Sequence, residues 1–148
     1  MASSDELLEQ WFAQTLESYL HLASPFLASE KDPFRNPVGH ALRSGMAILL
    51  QELLGNMDAA NIAPALDKIV RIRVVQDFTP SEAVAFVFLV RSILLGTHPP
   101  RPAMIEAHID QLALMAFDQY MRCREQIAEV RAKEAGRSMR VRPALHRR

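Results

Sequence analysis

The side chains in this sequence best suited to metal binding or catalysis are its five histidines and its single cysteine. They are His21, His40, His98, His108, His146 and Cys123. The histidines are widely spaced, and neither a His-x-x-x-His pair nor a Cys-x-x-Cys motif occurs, so the sequence predicts no metal centre. Haem ligation through His98 or His108 stays open, because a single axial histidine needs no motif.

Nucleophilic catalysis through Cys123 is the next chemistry to consider. Cys123 follows His108 by fifteen residues on one predicted helix, which separates them by roughly 22 Å along the helix axis. The thiol and the imidazole therefore cannot meet within one chain. The carboxylates form no paired motif and the glycines form no phosphate loop. We predict that the protein is not an enzyme and that it holds no cofactor.

Two arginines lie in patterns that suggest a specific role. Arg91 sits with Ser92 inside an otherwise apolar helix. It is either a structural residue that reaches solvent or a carboxylate, or a contact for an anion or a partner. Arg71 follows Asp67 by four residues, and this spacing predicts an ion pair on one helix face.

The zero net charge of the chain hides an asymmetry. Residues 1–122 hold nine Lys and Arg against fourteen Asp and Glu, a net of −5, whereas residues 123–148 hold eight against three, a net of +5. An acidic body argues against a nucleic-acid-binding core. The basic end, 136–148, is typical of a disordered, solubilising tail, and a nucleic-acid contact through it is the less favoured interpretation.

Apolar periodicity and capping signals predict an all-α chain of five helices. The predicted helices run from Ser3 or Ser4 to about His21, from Pro37 to Gly55-Asn56, over 64–76 after a break at Pro64, over 80–95 behind a Thr79–Glu82 capping box, and over 103–135. The fourth helix is apolar on nearly all sides, so we expect it to be central, with Phe86 and Phe88 both buried. Phe26 and Phe34, in the connector before the second helix, are expected to cover the core.

The fifth predicted helix is the feature that suggests assembly. Its 33 residues span roughly 50 Å, which exceeds the width of a compact domain of this size. Its far end is charged but keeps two apolar residues, and Trp11 and Phe12 lie side by side on the first helix, so that one of them should point outward. We predict a homodimer whose interface includes Trp11, Phe12, Cys123, Ile127 and Val130. The helical sensor domain would be 1–135 and the basic tail 136–148.

Three features of the sequence predict the cellular compartment. The N-terminus begins acidic and lacks the basic region of an export signal. The most apolar stretch, 83–95, is shorter than the ~20 residues that span a bilayer, which predicts no membrane partner. A single cysteine cannot form an internal disulfide, and this fits a cytoplasmic protein.

Two segments of the chain carry a resemblance to a known family. They are Asp-Pro-Phe-Arg-Asn-Pro-Val-Gly-His-Ala-Leu at 32–42 and IVRIRVVQDFTPSEAVAFVFL at 69–89. Both resemble the N-terminal domain family of the RsbR-type RsbT co-antagonists, over about residues 5–130. The resemblance implies a stressosome component with a globin-like, haem-free helical sensor domain. In that family two copies pair, and a long terminal helix signals into a C-terminal STAS domain that a kinase phosphorylates.

Only about 13 residues follow the fifth predicted helix, so we expect no STAS domain here. Output would then pass to a separate regulatory protein, or the chain is a stand-alone ligand sensor. The leading expectation is a globin-like bundle of about five helices with a long C-terminal helix, acting as a dimeric, non-enzymatic signalling sensor. The alternatives are a haem- or small-ligand-binding globin relative and a nucleic-acid-associated regulator.

Overall fold

The computed structural model describes residues 3–17, 30–32, 34–96 and 102–146, with side chains up to 137, and these residues form five α-helices. The helices are α1 (Ser4–Leu16), α2 (Pro37–Leu53), α3 (Ala59–Val75), α4 (Pro80–Leu95) and α5 (Met104–His146). The described residues contain no strand. The predicted all-α class and the long C-terminal helix are confirmed.

Side-chain caps explain where four of the helices begin. Ser3, Asn36 and Asp58 each accept a hydrogen bond from a backbone N–H in the first turn of the helix that follows. Thr79 and Glu82 form the predicted capping box, in which each side chain accepts from the other residue's backbone N–H. The bond from the Thr79 N–H lowers the pKa of Glu82. Each cap satisfies a donor that the helix itself leaves unpaired.

Two predicted helix bounds differ from the structure, and a third falls outside the described residues. Helix α1 ends at Leu16, and the expected end near His21 lies outside the described residues. Pro64 does not split α3, which begins at Ala59 behind the Asp58 cap; a proline there costs one backbone bond near the helix start. Helix α5 continues to His146, eleven residues past the predicted end at Ala135. The division into domain and tail stays a prediction.

The core lies where the five described helices meet. Helix α2 packs on α3, α5 packs on both α3 and α4, and α1 packs against α2 and α4. The Trp11 indole N–H donates to the Phe86 carbonyl at 2.6 Å, and the two rings stack with centroids 6.1 Å apart. Gly45 is buried where α2 approaches α3, and a Cβ there would meet Ile69 side-chain atoms at 3.0 Å.

Two aromatic residues expected in the core are exposed. Phe86 is fully buried, as predicted, but Phe88 is 50% exposed. Because α4 is apolar on nearly all sides, its sequence does not show which side is left uncovered by α1, α3 and α5. Phe34 is 95% exposed, in a turn where its N–H donates to the Asp32 carboxylate at 3.0 Å. The predictions for Phe88 and Phe34 were wrong, and Phe26 lies outside the described residues.

Candidate functional site

Three of the five residues predicted at a dimer interface are covered by the chain itself. Trp11, Phe12 and Cys123 are each at most 2% exposed. The expectation that Trp11 or Phe12 points outward is therefore wrong, because α2 and α4 cover both sides of α1. Of the other two, Ile127 is half-buried and Val130 is 54% exposed. Only these two can face a partner without rearrangement of the core.

Arg91 joins α4 to α5. Its guanidinium lies 2.5 Å from Asp110 and 3.6 Å from Glu106, one turn apart on α5. Both carboxylates are more than half exposed, so the pair stabilises the contact only modestly. Of the two interpretations of Arg91, the geometry matches the structural one.

Cys123 belongs to a polar network between α3 and α5. Its thiol lies 3.7 Å from an Asp67 carboxylate oxygen, which also accepts from Gln119 at 2.9 Å. The same oxygen accepts from Arg71 at 2.8 Å, which confirms the predicted ion pair, and Arg71 also donates to Gln126 on α5. Burial raises the pKa of the Cys123 thiol, and a protonated, buried thiol is a poor nucleophile.

The histidines do not come together in the described part of the chain. His108 places its Nδ1 2.8 Å from the Leu53 carbonyl and so satisfies one of the last carbonyls of α2. His40 is exposed, whereas His21, His98 and the His146 side chain lie outside what the structure describes. Among the described residues, no three His, Cys, Asp or Glu side chains are grouped so as to hold a metal ion.

An exposed apolar surface runs across α4 and α5, and the sequence prediction missed it. Its members are Phe88 on α4 and Leu114, Phe117 and Met121 on α5, which are 40–70% exposed. We call these four residues the outer face. The Arg91–Asp110 ion pair joins these two helices. Phe88 is three residues before Arg91 and Leu114 is four residues after Asp110, so the two residues come at about the same level of an antiparallel helix pair. The signal for this face was a second apolar stripe on α5, offset from the buried one and spaced by three and four residues.

The far end of α5 projects beyond the core. Cys123 is the last buried residue of α5 among those whose side chains are described, and after it only Ile127 and Gly136 are half-buried. A helix of 43 residues is roughly 64 Å long, which exceeds the width of a compact domain of this size. The projection is therefore longer than the sequence predicted.

Comparison with known proteins identifies a family. Searches of curated proteins and of solved structures found no significant match. No helix in the described ranges has the length and apolar content needed to cross a membrane. Residues 5–135 match the RsbT co-antagonist protein rsbRD N-terminal domain, in agreement with the resemblance of segments 32–42 and 69–89. The chain therefore belongs to this family of RsbT co-antagonist N-terminal domains, which serve as sensor and regulatory domains in stress signalling.

Proposed function

We propose that this domain is a non-enzymatic regulatory sensor that works as a homodimer and passes its signal to a regulatory protein partner in the cytoplasm. Membership of the RsbT co-antagonist family supports the regulatory role. The observation that carries the dimer is the outer face, where four large apolar side chains on adjoining helices are exposed to solvent. Clustered exposed residues of this kind mark interaction sites.

The spacing of the outer face suits pairing with a second copy. Leu114, Phe117 and Met121 follow one another at intervals of three and four residues, the spacing of a knobs-into-holes seam. Under a two-fold axis, α4 and α5 of one copy would pack on the same helices of the other. Each fully buried side chain of this size contributes about 1.5–3 kcal/mol. The Arg91 ion pairs would lie at the polar edge of such an interface.

The end of α5 offers a competing interface. Ile127 and Val130 continue the buried stripe of α5 past the body of the domain. Val130 points about 140° away from Phe117 around the helix, so one flat interface cannot include both residues. The outer face is the better candidate because its side chains are larger and more numerous.

Light scattering on three single-residue variants separates these interfaces. We expect a dimeric wild type and a monomeric Phe117→Asp protein that keeps its helical circular dichroism, because Phe117 is already 49% exposed. Val130→Asp should stay dimeric, as should Gln51→Asp, a control that places the same charge at an exposed position on α2, which contributes nothing to the outer face. A monomeric wild type would contradict the homodimer. A monomeric Val130→Asp beside a dimeric Phe117→Asp would assign the interface to the helix end instead.

A further inference from the structure

A cleft lies where α5 leaves the body of the domain. It has a volume of about 570 Å³ and runs between the turn joining α3 to α4 and the middle of α5. Val74, Phe78 and Ile127 supply apolar lining, whereas Arg124 and Arg131 bring two guanidinium groups from α5. The volume is within the range of small-molecule sites, ~300–1,000 Å³.

The turn that forms one wall of the cleft has a defined geometry. Asp77 has a positive φ of 61°, and its N–H donates to the Val74 carbonyl at 3.0 Å. The Phe78 N–H donates to the Arg73 carbonyl at 3.1 Å, and the Arg73 guanidinium lies 4.9 Å from the centre of the Phe78 ring. These bonds form a Schellman motif with its side-chain contact. The wall is preorganised, so a ligand need not order it.

The charge of the cleft favours an anion. Arg124 and Arg131 are seven residues apart, which places them on one face of α5 with Cα atoms roughly 10 Å apart, so both side chains can reach a group between them. Arg124 donates to the Tyr120 hydroxyl at 2.9 Å. The described residues include all seventeen Asp and Glu of the chain, and none of these carboxylates pairs with Arg124 or Arg131. By contrast, Arg71 and Arg91 each have a carboxylate partner.

We propose that this cleft binds a small organic anion, with its acidic group between Arg124 and Arg131 and its apolar part against Val74, Phe78 and Ile127. Guanidinium groups hold carboxylate-like oxygens through charge-assisted, often bidentate, hydrogen bonds. Asp77 also lines the cleft, and its negative charge weakens anion binding. This inference goes beyond the proposed function and does not depend on dimerisation.

Occupancy of the cleft has a mechanical consequence. The ligand would touch the α3–α4 turn on one side and residues 124–131 of α5 on the other. Those residues are the first two turns of the projecting helix after the last buried residue, Cys123. A bound anion would therefore tie the base of the projection to the body of the domain, and binding would change how rigidly the far end of α5 is held.

Fluorescence titration of the full chain with two probes tests the proposal. The probes are 8-anilinonaphthalene-1-sulfonate, an apolar anion, and its neutral analogue N-phenyl-1-naphthylamine. Arg124→Gln/Arg131→Gln should weaken binding of the sulfonate by about tenfold or more and leave the neutral probe unchanged. Arg122→Gln, the control on the same helix outside the cleft, should change neither. Asp77→Asn should tighten sulfonate binding, because it removes a negative charge and Asn also tolerates the left-handed backbone.

The outcomes are separable from those of the dimer test. A Phe117→Asp protein should bind the sulfonate as the wild type does, because Phe117 does not line the cleft. The proposal fails if Arg122→Gln weakens binding as much as the cleft variant does, or if the cleft variant leaves sulfonate affinity unchanged. Equal loss of the neutral probe would also overturn it, because general loss of packing would then explain the effect.

Discussion

Two arginines on α3 show what sequence spacing reveals about single residues. The interval from Asp67 predicted the ion pair of Arg71, and the structure has it at 2.8 Å. Nothing in the sequence predicted that Arg73, two positions on, would be 1% exposed. Its guanidinium donates to the Glu82 carbonyl at 2.8 Å and lies against the rings of Phe78 and Phe86. Those partners come from the next turn and helix, so local periodicity could not reveal them.

We predict that Arg73→Ala destabilises the domain far more than Arg71→Ala. Loss of Arg73 leaves a cavity and a carbonyl without its donor, at a cost of about 3 kcal/mol or more. Arg71 is 41% exposed at its side chain, and a pair of this kind contributes about 1 kcal/mol or less. Urea unfolding followed by circular dichroism measures both. Equal, small losses would contradict a structural role for the buried guanidinium.

At the scale of the helix, the sequence predicted where helices begin but not which side of a helix is exposed to solvent. The caps at Ser3, Asn36 and Thr79 are local signals, because a side chain bonds to a backbone N–H within three residues. Which side of an apolar helix is covered depends on helices far away in sequence. Trp11 was therefore assigned to an interface that the structure does not give it, and the exposed Phe117 was overlooked. For the same reason, the candidate interface is the outer face and not the surface around Trp11 and Phe12.

Phe86 and Phe88 test this distinction on one helix. Phe86→Ala should cost about 3–5 kcal/mol of unfolding free energy, since the ring is fully buried beside Trp11. Phe88→Ala should cost about 1 kcal/mol or less when measured in a Phe117→Asp background, where dimerisation does not add to stability. In the dimeric protein, Phe88→Ala should instead weaken association. A loss for Phe88→Ala as large as that for Phe86→Ala would place both rings in the core.

The described part of the molecule consists of a packed body and a projecting helix. Buried residues of α5 extend from Ile105 to Cys123, and beyond them the described side chains are exposed except for Ile127 and Gly136. A helix without tertiary contacts is only marginally stable in water, because packing supplies most helical stability in proteins. The projecting end therefore adds little to the stability of the body. The projecting end can therefore respond to a ligand bound in the cleft and to a protein partner.

We predict that removing residues 133–148 leaves the body intact. The deletion should lower helical circular dichroism in proportion to its length, and it should shift the thermal midpoint by no more than about 2 °C, because no described side chain in 133–137 is buried. The truncated protein should remain dimeric by light scattering, since the outer face ends at Met121. Removal of residues 138–148 alone is the matched control. If the longer deletion alone dissociates the dimer, the two copies meet through the ends of their α5 helices and the outer face serves another partner.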